Sequence, residues 1–148
     1  MEEEIRTILE PEYSSILYKT SFLFGLNSIY GLYQMVNNKL TFNDVLITNT
    51  LLFITSVNYW KNPTYGFRRK IDIIMALTNI FYNSYTISHH PNAWICYMSI
   101  KMLMISYGVS WYYHSNNNKK RGTFYHSMVH LFGNIGNFII LNDFNLFE

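Results

Sequence analysis

The chain has 148 residues, one domain's worth, and a net charge of only +2, too small to suggest a nucleic-acid partner. Aromatic residues make up 18% and charged residues 14%, an aromatic-rich and charge-poor balance for a soluble domain. Cys96 is the only cysteine, which excludes an intramolecular disulfide and a cysteine metal site.

In chain order, residues 1–13 form an acidic lead without the apolar core of a signal peptide. Glu2–Glu10 reads as a short surface helix ending at Pro11. Five long apolar segments follow: 14–36, 42–60, 71–88, 93–113 and 123–141. Most approach the roughly 20 residues a helix needs to cross a bilayer. The expected fold class is therefore an all-α polytopic transmembrane bundle of about five spans, forming a single domain over 14–148. Mean hydropathy is only +0.01, because Asn, Ser, Thr and Tyr are scattered through these segments. A lipid bilayer is the expected partner.

The linkers carry the charge. KNPTYGFRRK (61–70) and HSNNNKKRG (114–122) hold seven Lys or Arg between them. With five spans both linkers lie on one side, together with the N-terminus. The positive-inside rule makes that side cytoplasmic and places the C-terminus outside or luminal. Lys39 alone marks the opposite side, and the turn SHHPN (88–92) carries His89 and His90 there. Lys101, near the middle of the fourth segment, reads as a snorkelling or paired residue.

The polar residues fall on faces. Asn49 and Ser56 are seven apart, and Asp72, Asn79 and Asn83 share one helical face. In the last segment, YHSMVHLFGNIGN (125–137), His126 and His130 stand at i and i+4. Gly133, Asn134 and Asn137 continue their stripe. Such a stripe must face protein, water or a metal. Ser56, Asp72, His114, His126 and His130 all fall within about 10 Å of one end of the bundle, at 1.5 Å per residue.

This pattern resembles the CREST superfamily, which includes alkaline ceramidases and progestin/adiponectin-type receptors. Ser56 in SVNYW, Asp72 at the next segment's start and His126 with His130 match its motifs. The resemblance implies a Zn2+ site and hydrolysis of a lipid amide substrate by zinc-bound water. His126 and His130 would be two ligands and Asp72 or His114 the third, with Ser56 and Asp72 as catalytic partners. The sequence departs from the family at Trp60, where a third histidine is expected, and in having five segments rather than seven. Arg68, Arg69 and Lys119 to Arg121 lie at the rim, where an anionic headgroup would sit. The alternative is a non-catalytic membrane protein, structural, partner-binding or transporting, whose His, Asp and Ser side chains form a packing network.

Overall fold

The computed structural model describes residues 8–37, 44–88 and 93–143. His89, His90 and Lys39 lie outside the described residues, as does most of the acidic lead. Five helices account for nearly all of the rest: α1 (Pro11–Val36), α2 (Asp44–Trp60), α3 (Phe67–Ile87), α4 (Ala93–Ser115) and α5 (Lys119–Asp143). The five apolar segments are thus helical, but several boundaries move outward. Pro11 opens α1, because the first turn needs no proline N–H, and the helix expected over Glu2–Glu10 lies for the most part outside the described residues. The basic runs at Arg68–Lys70 and Lys119–Arg121 are first turns of α3 and α5 rather than loop.

Local chemistry sets these limits. Gly66 precedes α3 with φ 128°, a conformation closed to residues with a Cβ. Between α4 and α5, Asn117 takes φ 57°, and Asn118 caps α5 by accepting the Arg121 N–H at 3.2 Å.

The transmembrane expectation fails. No helix among the described residues is long and apolar enough to cross a membrane. The 17 residues of α2 span about 26 Å, short of a hydrocarbon core of about 30 Å. At 25 residues α5 has the length, but it opens on Lys119, Lys120 and Arg121 and carries two histidines. The multi-pass topology, with a cytoplasmic N-terminus and a luminal C-terminus, falls with the spans.

The helices form an open ring. α1 packs along α2 and α5, α2 along α3, and α4 along α5, whereas α3 touches α4 and α5 only sparsely. One end of that loose seam is closed by Ile87, Ala93 and Cys96, packed with Val45, Ile140 and Leu141. Near the other end, Leu9, Leu17, Tyr59 and Trp60 make a second apolar cluster between α1 and α2.

The interior is unusually polar. Ser21, Asn27, Ser28, Asn49, Ser56, Asn79, Asn83, Ser110 and Asn137 are all buried, while Leu26, Ile29, Phe81, Tyr85, Trp94 and Trp111 are exposed. Buried hydroxyls are tolerated because many close back on their own helix: Ser21 donates to Leu17 O at 2.8 Å and Ser28 to Phe24 O at 3.2 Å. An exterior this apolar is of the kind that meets another apolar surface.

Candidate functional site: a polar cavity between four helices

The sparse contacts of α3 leave a cavity of about 610 Å³ bounded mainly by α2, α3, α4 and α5. All five residues singled out from sequence line it: Ser56, Asp72, His114, His126 and His130. The physical reason is phase. Asp72, Asn79 and Asn83 lie on the α3 face turned inward, and His126, His130 and Asn137 on the facing stripe of α5.

The two histidines differ. His130 is buried, and its Nδ1 lies 2.8 Å from Thr20 Oγ1. The Thr20 hydroxyl is also placed to donate to Leu17 O at 3.1 Å. With its one proton there, Thr20 accepts from His130 Nδ1–H, leaving Nε2 as an acceptor. Phe24 and Trp60 pack edge-on against this ring at 5.6 and 6.2 Å. Desolvation, with His126 adding to it, holds His130 well below its ordinary pKa, so the ring is neutral. His126 is less enclosed. Trp60 packs on one side at 4.9 Å and Tyr107 on another at 6.2 Å. Burial, with a smaller contribution from His114, lowers its pKa to about 4.

Asp72 moves the other way. Burial pushes its carboxyl up to about 7, against a partial offset from the Ser56 hydroxyl. Ser56 is itself held by Ser21, Oγ to Oγ at 3.1 Å. Around neutral pH the cavity therefore pairs a carboxyl that keeps its proton half the time with imidazoles that carry no charge. This inverts the usual order of the two groups.

The metal expectation is corrected here. Among the described residues no group of three or more His, Cys, Asp or Glu is placed to hold a metal ion. A catalytic zinc requires three protein ligands. His126, His130, Asp72 and His114 line one cavity from three different helices. Trp60, at the sequence position where the family pattern has a further histidine, meets His126 edge-on at 4.9 Å. His114 is committed to its own hairpin, where its ring rests on Gly122. A Cβ there would come within 2.7 Å of it. The zinc expectation gains no support from these residues.

Several lining residues escaped the sequence reading. Tyr59 and Trp60 wall the cavity, and the Trp60 indole N–H is buried without a partner. Tyr59 is pushed up to about 12 by burial, opposed by the nearby Arg69. Arg69 and Lys119 line the mouth, while Arg68, Lys120 and Arg121 point to solvent. The basic runs are the sequence signal that already places Arg69 and Lys119 at the rim. Thr20, as the partner of His130, had none.

The lining grades from charged to apolar to amide. Arg69, Lys119, Asp72 and His114 stand at one end; Ala76, Leu77, Ile80, Leu103 and Met104 form the middle; Asn79, Asn83 and Asn137 lie deeper. At 1.5 Å per residue the axial distance from Arg69 to Asn79 is about 15 Å. No protein-family model, curated protein or solved structure gives a significant match to this chain.

Proposed function

We propose that the protein binds a small amphiphile in this cavity, with an anionic head at the mouth and an apolar body between α3 and α4. The observation that carries the reading is the cavity itself, graded from basic mouth to apolar body. Pockets that take small molecules are mostly apolar with a few convergent polar groups. Arg69 and Lys119 supply charge for the head. Asp72, when protonated, donates a hydrogen bond to an anion that ionised Asp72 would repel. Binding rather than catalysis is the activity proposed, which keeps the non-catalytic alternative from the sequence and drops its membrane. His130, tied to Thr20 and packed by Phe24 and Trp60, serves the fold. Ser56, Asp72 and His126 serve the ligand.

Dodecanoate, below its micelle concentration, is the direct probe. Trp60 and Trp111 both line the cavity, so tryptophan fluorescence reports its occupation. Titration at pH 6 should give a saturable change. Ala76→Trp, which fills the middle of the cavity, should abolish it while helical circular dichroism is kept. Met104→Trp does the same from α4 and covers the case in which the first variant misfolds. Absence of saturation, or saturation indifferent to both variants, would mean adsorption to the apolar exterior and would sink the proposal.

A further inference from the structure

Deep in the cavity lies a chain of asparagines whose direction is fixed from one end. The Asn49 amide nitrogen faces two acceptors, Phe24 O at 3.5 Å and Ser28 Oγ at 3.4 Å. Ser28 can only accept there, because its single proton goes to Phe24 O. Asn49 therefore presents Oδ1 to α5, where it accepts from Asn137 Nδ2 at 2.7 Å. Asn137 Oδ1 in turn accepts from Asn83 Nδ2 at 2.7 Å. The chain ends at Asn83 Oδ1, which is buried and has no partner. One turn earlier on α3, Asn79 Nδ2 is also buried and unpartnered. The residues are 2% and 4% exposed, and both line the cavity.

The cavity thus holds, on adjacent turns of one helix, one free acceptor and one free donor. Buried polar atoms are nearly always satisfied, and a pair left open on a cavity wall is a vacancy for a ligand group. A charged group would satisfy only one of the two atoms. A hydroxyl does both at once, donating to Asn83 Oδ1 and accepting from Asn79 Nδ2. We infer that Asn79 and Asn83 form a second polar station that takes a hydroxyl on the body of the bound molecule. The ligand class is then a hydroxylated amphiphile, with its hydroxyl about 15 Å from the anionic head. This inference rests on the amphiphile reading above and adds to it.

The test compares dodecanoate with ω-hydroxydodecanoate, whose chain length suits that span, by the same fluorescence titration. The hydroxyl should tighten binding about tenfold, the difference one well-made buried hydrogen-bond pair produces. Asn79→Leu and Asn83→Leu should each bring the ratio of the two probes' affinities close to one. Asn79→Leu, at a residue outside the amide chain, is the variant that decides should Asn83→Leu not fold. Equal binding of the two probes to the wild type would show that solvent fills the station, and would overturn this inference alone. Failure of both probes to bind would overturn the amphiphile reading and the hydroxyl station together.

Discussion

The α1–α2–α5 side and the α3–α4 seam are built from the same residue types and behave oppositely. On the first side most large polar groups have found protein, although Asn134 Oδ1 on α5 and Trp60 Nε1 on α2 are buried without partners. Asn27 Nδ2 donates to Asn134 O at 2.8 Å, Gln34 Nε2 to Tyr30 Oη at 2.6 Å, and Asn137 Nδ2 to Asn49 Oδ1 at 2.7 Å. At the seam, Asn79 Nδ2 and Asn83 Oδ1 are buried without partners on adjacent turns of α3. Matched amides fix how two helices dock, whereas unmatched ones keep a cavity polar and leave it a ligand to find. One residue, Asn83, belongs to both regions and joins them.

The sharpest way to break this comparison is at the centre of the amide chain. Asn137→Leu leaves Asn49 Oδ1 and Asn83 Nδ2 buried and unsatisfied, and should cost about 2–4 kcal/mol in denaturant unfolding. A loss below about 0.5 kcal/mol would show that the two sides do not differ in kind.

Acidity sharpens the contrast next. His126 titrates near 6.5 unfolded and about 4 folded, so stability falls as pH drops between those values, by up to ~3 kcal/mol. Asp72 titrates near 3.8 unfolded and about 7 folded, so it acts in the opposite sense, with stability falling as pH rises through that window. The two oppose each other in the wild type, while His130, also lowered by burial, adds to the loss on the acid side. Asp72→Asn removes one arm and should make the thermal midpoint fall steeply from pH 6.5 to 4.5. His126→Gln should shift the stability optimum to lower pH. Parallel profiles for all three proteins would show that the cavity groups are not perturbed by burial. The same Asp72→Asn variant should also flatten the decline in dodecanoate affinity expected between pH 6 and 8.

A smaller effect is expected where α4 meets α5. Gly122→Ala places a Cβ against the His114 ring, which must swing aside, and should cost about 1–2 kcal/mol by thermal unfolding. Thr20→Val removes the His130 hydrogen bond and should cost about 1 kcal/mol. The smallest change belongs to the seam. Asn79→Leu buries no partner's loss and replaces an unsatisfied amide with apolar volume, so stability should stay within about 0.5 kcal/mol or rise. A loss matching that of Asn137→Leu would place Asn79 in the structural chain instead.

How much of the site was legible depends on which distances are local. That His126 and His130 share a face, and that Asp72, Asn79 and Asn83 share another, follows from 3.6 residues per turn and needed no structure. That those two faces line one cavity was also within reach, because a polar stripe on an apolar helix must turn inward. Thr20 was not legible as the partner of His130, since a threonine 110 positions away carries no mark of its destination. Trp60 reads in sequence as a departure from the family pattern, and only the fold shows it meeting His126 edge-on at 4.9 Å. The transmembrane reading went wrong for a related reason. Apolar segments interrupted by Ser, Thr and Asn were treated as spans with one polar side, but the interruptions are frequent enough that no described helix has the required apolar length.

Sequence alone determined five helical segments, their approximate limits and the polar face of each, because period and breakers act over a few residues. Tertiary structure alone decided which polar groups are satisfied. Hydrogen bonds among Asn49, Asn83 and Asn137 need three helices at fixed height and rotation. Sparse packing of α3 on α4 opens the cavity where the same chemistry is left unpaired. Burial, a property of the whole bundle, is also what raises Asp72 and lowers His126, because only the folded bundle removes their water.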